Sequence, residues 1–131
     1  MKVIMIIILL VHNVWGQNKS PFQVDIRPRV INNAKVLINV EIINNVGRPL
    51  DYLEGFLSEF SGDELIDEKR MVLLYSYEPP LQTGYSTTKT AKLGLRSDNL
   101  STYKFSISKI KFVGDNRVFS WHQNAGFIRI D

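Results

Sequence analysis

The fold class this sequence predicts is all-β: an antiparallel β-sandwich of seven to eight short strands. Three observations carry it. Apolar residues recur with a period of two over short runs, most clearly in KVLINVEII from Lys35 to Ile43, and that is the period of a strand with one buried face. Clusters of Gly, Pro, Asn, Asp and Ser interrupt these runs roughly every 8–12 residues, as in a sandwich. No stretch sustains the 3.6-residue period of a long helix. A small barrel is the alternative arrangement of the same strands.

The first 16 residues stand apart. Lys2 precedes an unbroken apolar run from Val3 to Val11, and the small residues Val14 and Gly16 suit a cleavage site after Gly16. This pattern predicts a secretory signal peptide over 1–16 and a single domain over 17–131. The apolar run is about half of the roughly 20 residues a membrane-spanning helix needs, so a membrane anchor fits less well. No stable membrane span is expected once the signal is removed. The chain has no cysteine, so no lipid can be attached after the apolar run. A domain of about 115 residues must then stand on its apolar core alone, which is feasible at this size. Small eukaryotic secreted domains more often use disulfide bridges, so the expected location is the bacterial periplasm or cell surface.

From the N-terminal side, FQVDI (Phe22 to Ile26) alternates until Pro28, which is expected to end the strand. In KVLINVEII, Val36, Ile38, Val40 and Ile42 share one face, and Leu37, Asn39, Glu41 and Ile43 share the other. NNVGRP (Asn44 to Pro49) is a turn, since Asn and Gly tolerate positive φ and Pro cannot sit in a central ladder. LDYLEGFLSEF places Tyr52, Phe56 and Phe60 on one face. Its aromatic spacing also fits a helix, but Gly55 and the flanking turns favour a strand. SGDE (Ser61 to Glu64) turns the chain, and MVLLYSY (Met71 to Tyr77) is the next strand. EPPLQTGY (Glu78 to Tyr85) is a loop. TTKTAKLGL comes next, with Ala91, Leu93 and Leu95 on one face, and RSDNLS breaks it.

YKFSISKIKF changes parity within itself. Tyr103, Phe105 and Ile107 hold one parity; Ile110 and Phe112 hold the other. One strand can send both sets inward only with an extra residue, which predicts a β-bulge or sharp bend at Ser108 or Lys109. VGDN (Val113 to Asn116) is a hairpin turn, RVFSW returns along it, and GFIRID closes the sheet.

The strand ending in EIINNVGRPLDYLEGFLSEFSGDELI and the later ISKIKFVGDNRVF resemble the FxLYD-type domain and related immunoglobulin-like sandwiches of exported bacterial proteins. An Asn-containing turn leads there into an alternating strand, then a short polar turn with Gly, and a late strand runs into a short Gly/Asp turn. The likeness covers Lys35 to Phe119. The Leu-Tyr-Asp of the naming motif is absent from FLSEF, so the resemblance implies an immunoglobulin-like sandwich and no particular residues. It also implies an accessory, adhesive or interaction module and not an enzyme.

Composition excludes several chemistries. Without Lys2 the chain holds 15 basic and 13 acidic residues, a net charge of +2, and the basic residues are scattered, so no nucleic-acid partner is expected. Without cysteine there is no thiol nucleophile and no histidine–cysteine metal site. His122 is the one histidine beyond the signal segment, and no nucleophile-elbow sequence accompanies it; it reads as an ordinary histidine beside a packed Trp121. Asp63, Glu64, Asp67 and Glu68 are residue types that bind calcium, but their spacing is not that of an EF-hand and Lys69 and Arg70 adjoin them, so a solvated acidic turn is expected. No glycine-rich phosphate loop is present; Gly114 and Gly126 read as turn glycines. Asn18 and Asn99 lie in glycosylation acceptor triplets that matter only in a eukaryotic host. Neither a cofactor nor a metal is expected.

Tyrosine and tryptophan remain. Tyr75 and Tyr77 fall on one face near a strand end, Tyr85 lies across the proline-bearing loop, and Trp121 comes later in the chain. Tyrosine combines apolar area with a polar tip, which suits recognition of peptides or sugars. The ordinary alternative places Tyr75 in the core, with Tyr77 and Tyr85 covering the loop. The expected function is binding of a protein or glycan partner by an exported, non-enzymatic sandwich. A structural subunit of a surface assembly is a second expectation, and a small-ligand carrier or small enzyme with a barrel-like interior is a third.

Overall fold

The alternation of Val36, Ile38, Val40 and Ile42 becomes a buried row on one strand, and the rest of the molecule is arranged around it. In the computed structural model, residues 20–96 and 101–131 are described. The segment expected to be a signal peptide, Asn18 and Asn99 lie outside the described residues. Eight strands succeed one another: β1 (Phe22–Ile31), β2 (Lys35–Asn44), β3 (Leu50–Ser61), β4 (Glu64–Leu74), β5 (Ser86–Gly94), β6 (Ser101–Phe112), β7 (Phe119–His122) and β8 (Gly126–Arg129). They form a three-stranded sheet in the order β1-β2-β5 and a five-stranded sheet in the order β4-β3-β6-β7-β8. Every pairing is antiparallel.

The two sheets face each other across one apolar core. Ile38, Val40 and Ile42 of β2 meet Leu53 and Leu57 of β3, Leu73 of β4 and Ile110 of β6, all fully buried. The layers are open sheets packed face to face, so the fold is a sandwich and not a barrel. β-Branched residues supply the β2 row because they pack well on a pleated surface.

Ser108 is the bulged residue of β6. Glu54 pairs with Lys109 and the next residue, Gly55, pairs with Ile107, which leaves Ser108 without a partner. The extra residue returns Ile110 and Phe112 to the side of the sheet that Phe105 and Ile107 already face. The Ser108 hydroxyl donates to the Glu54 carbonyl oxygen at 3.2 Å, which holds the bulge. Gly55 sits against the same irregularity. A Cβ there would collide with the Ser106 carbonyl oxygen and the Phe105 ring. Tyr52, Phe56 and Phe60 do share one face, but it is the outer one; Leu53 and Leu57 carry the core.

Four local expectations are corrected. Pro28 does not end the first strand, which continues to Ile31; β1 is an edge strand, where the missing N–H of proline can face solvent. The strand expected over Met71–Tyr77 runs instead from Glu64 to Leu74, so Tyr75 and Tyr77 lie beyond its end. The turn before it is confined to Gly62 and Asp63, so Glu64 to Glu68 form strand and not an acidic turn. The return strand after the turn at 113–116 begins only at Phe119 and meets β6 through a single residue pair, Ile110 with Phe119.

Candidate functional site

The register of β1 places Val24, Ile26, Pro28 and Val30 opposite Ile42, Val40, Ile38 and Val36. All four therefore share the inward face of the buried β2 row. Val24 and Val30 are nonetheless 40% and 48% exposed. The cause lies in the facing sheet. β7 is only four residues long and leaves β6 after one pair. From Tyr103 to Ile107, the edge of β6 away from β3 has no strand partner among the described residues.

The result is a cleft of about 420 Å³ between β1 and β6. Val24, Ile26, Phe105, Ile107 and Trp121 supply apolar walls, and Lys104, Ser106, His122 and Gln123 supply a polar rim. Past Tyr103 it continues into a second hollow of about 170 Å³ against Pro28, Val30, Val36 and Leu95. Buried Glu59 closes that end: it accepts a hydrogen bond from the Ser101 hydroxyl at 2.6 Å and lies 3.6 Å from the Arg96 guanidinium. Burial, aided by the Glu59 charge, pushes the Tyr103 hydroxyl above the usual tyrosine range, so Tyr103 stays a neutral donor at working pH.

Trp121 is fixed at the cleft mouth by an edge-to-face contact with Phe22, with ring centres 5.6 Å apart. Phe127 packs on Phe22 at 6.0 Å and on Phe112 at 5.8 Å, which ties the β7–β8 hairpin to both sheets. Beside Trp121, the buried Ser120 hydroxyl lies 2.9 Å from His122 Nε2. This Ser–His contact was not foreseen from the sequence, and an i, i+2 pair on a strand is the only signal that could have found it. Among the described residues no carboxylate hydrogen-bonds the other ring nitrogen, and no group of three or more His, Asp or Glu is placed to hold a metal ion.

The tyrosines are arranged differently. Tyr75 and Tyr77 stack with ring centres 5.0 Å apart and planes 24° apart. Tyr75, Tyr77 and Tyr85 are 36%, 82% and 68% exposed, so none belongs to the core. Glu78 sets the stack. The Tyr75 N–H donates to Glu78 Oε1 at 3.0 Å, and the Glu78 N–H donates to the Tyr75 carbonyl at 3.0 Å. Lys89 of β5 donates to both Glu78 oxygens, at 3.1 and 3.0 Å. The Tyr75 N–H, with Lys89 second, holds the Glu78 carboxyl below its usual range. Tyr85 is anchored by its backbone instead, its carbonyl accepting from the Asn44 N–H at 3.0 Å. The four aromatics thus divide: Tyr75 and Tyr77 form one platform, Trp121 lines the cleft, and Tyr85 stands apart from both stacks.

No family model matches the chain, and no curated protein does. Among solved structures it is similar to the crystal structure of a Bordetella pertussis protein designated ApaA, with a TM-score of 0.54 and 16% sequence identity over 84% of this chain and 88% of that one. At that identity the likeness shows the fold alone.

Proposed function

We propose that this protein is an exported, non-enzymatic binding module that takes an extended peptide into the cleft between β1 and β6. One observation carries the reading: the Tyr103–Ile107 edge of β6 lacks a strand partner among the described residues, beside an apolar cleft. A strand laid there gains main-chain hydrogen bonds, and its alternate side chains reach Val24, Ile26 and Phe105. Trp121 reports directly on occupancy.

The test is a titration of peptides of about eight residues with alternating apolar and polar positions, monitored by Trp121 fluorescence and by amide exchange. Saturable quenching with new protection confined to Tyr103–Ile107 supports the reading. Quenching without protection there, or no response, ends it. Proline-interrupted peptides serve as the control, since they cannot complete the ladder.

A second reading, a structural subunit, is favoured by edge strand β8 and the residue after it, where Phe127, Ile128 and Ile130 are exposed. Unpaired apolar edges promote self-association. Light scattering over a concentration series separates the two: a monomer at all concentrations removes the subunit reading.

A further inference from the structure

The opposite open side of the sandwich, between edge strands β4 and β5, holds a different kind of surface. A shallow cleft of about 230 Å³ lies there, floored by Met71, Val72 and Ala91 and walled by Tyr75. Three cations reach it: Lys69, Arg70 and Lys89. Two are already matched. Arg70 pairs with Glu54 at 2.7 Å, and Lys89 pairs with Glu78 at 3.0 Å. Lys69 is exposed and has no ion-pair partner among the described residues. The register explains its position, since Lys69 stands opposite the core residue Leu57 on a row that continues to Met71 opposite Gly55. A core-parity position at the sheet edge thus carries a charge.

The geometry points to a binding site for an acidic sugar, a pyranose ring bearing a carboxylate, at Tyr77, Tyr75 and Lys69. The aromatic platform is built before any ligand arrives. Reciprocal Tyr75–Glu78 bonds and the Lys89 clamp fix the turn, and Pro79 and Pro80 stiffen the loop beyond it. Tyr77 stacks on Tyr75, and at 82% exposure its apolar surface is largely open to solvent. Holding an apolar ring rigidly in water gains the protein nothing in folding, but it lowers the ordering cost of binding. A flat sugar face matches the ring, and the carboxylate matches the Lys69 ammonium, which has no ion-pair partner among the described residues. Acidic peptides lack the flat ring and gain only the charge contact.

The test uses protein purified after expression of the full chain, with affinity electrophoresis through gels containing polygalacturonate or neutral dextran. Expected is retardation by polygalacturonate alone. Tyr77→Ala should weaken it about tenfold, and Lys69→Gln about fivefold. Lys92→Gln, a charge removed from the exposed face of β5, should leave it unchanged. Equal loss in Lys69→Gln and Lys92→Gln, with none in Tyr77→Ala, would reduce the effect to net charge and overturn the site. So would equal retardation by dextran, or no retardation at all. Tyr77 is exposed, so the variants should keep the parent unfolding temperature, and that is checked alongside. The site lies on the other side from the β1–β6 cleft, so each reading can fail without the other.

Discussion

From a fully buried position at the end of β2, the Asn44 side-chain amide donates to the Leu81 carbonyl oxygen at 2.9 Å, across 37 residues of chain. The same Nδ2 donates to the Arg48 carbonyl at 2.8 Å, and Oδ1 accepts from the Val46 N–H at 2.9 Å. Its backbone N–H and carbonyl bond Tyr85 and Gly84. One residue thus closes the 45–49 turn and pins the 78–85 loop. Leu81 is held there as part of the core, bridged to Leu50.

Asn44→Ala should destabilise the protein by about 1–3 kcal/mol, because the Arg48 carbonyl and the Val46 N–H lose this partner and the Leu81 carbonyl keeps only the Leu50 N–H. Asn44→Asp should cost at least as much at neutral pH, since an acceptor then faces two carbonyls. Urea unfolding measures both. A loss under about 0.5 kcal/mol, the range of an ordinary surface change, would show that water replaces the amide.

The bulge gives a second prediction. Ser108→Ala removes one hydroxyl bond and should cost about 1 kcal/mol or less. Deleting Ser108 shifts the strand by one residue and turns Ile110 and Phe112 outward, so the deletion variant should not fold. Gly55→Ala should cost about 1–3 kcal/mol by overpacking against Ser106 and Phe105. Circular dichroism and thermal unfolding distinguish these three outcomes.

Glu54 and Arg70 should respond unequally. Glu54 is buried on the outer face of the five-stranded sheet, and Arg70 grips it at 2.7 and 3.0 Å while the Tyr52 hydroxyl donates at 2.6 Å. The Arg70 bond, joined by those of Tyr52 and the charge of Lys109, holds the Glu54 carboxyl below its usual range against the opposing effect of burial. Arg70→Gln leaves a buried carboxylate unmatched, whereas Glu54→Gln frees an arginine that water already reaches. Arg70→Gln should therefore lower the midpoint of urea unfolding more than Glu54→Gln does.

The same pair sets a pH dependence. The folded pKa of Glu54 is depressed, so the unfolded chain takes up its proton first as pH falls. The stabilisation is complete above the ordinary glutamate value of about 4.3 and disappears as pH drops through the folded value. The stability gap between the parent and Glu54→Gln should accordingly be constant from pH 7 to about 5.5 and shrink below about 4.3. A gap that stays constant down to pH 3 contradicts the assignment.

Val24 tests the cleft without reference to any ligand. Its parity is that of a core residue, yet it is exposed. Val24→Lys should change stability by less than about 0.5 kcal/mol, as at a surface. Val40→Lys, on the same face of β2, should abolish folding. If Val24→Lys is as damaging, the cleft is closed in solution.

Much of this molecule was determined locally. The period of two in 35–43, the turn residues at 44–49 and 61–64, and the parity change in 103–112 are each imposed by neighbouring residues. Strand direction, two turns and an irregularity at Ser108 or Lys109 came from them without any knowledge of the fold. The ends of the strands did not. Pro28 reads as a stop, and only its place on an edge strand, where no neighbour needs its N–H, lets β1 continue. Tyr75 and Tyr77 read as strand; the Glu78–Lys89 ion pair from β5 turns the chain there. Buried Asn44 looks like any turn residue, because its partner Leu81 is remote in sequence. Neither cleft has a sequence signature. Each arises where a three-stranded sheet fails to cover a five-stranded one, leaving core-parity residues such as Val24 and Lys69 in the open. Alternation is a property of one strand, but exposure depends on what the opposite sheet places above it, and that is decided only when the sheets pack.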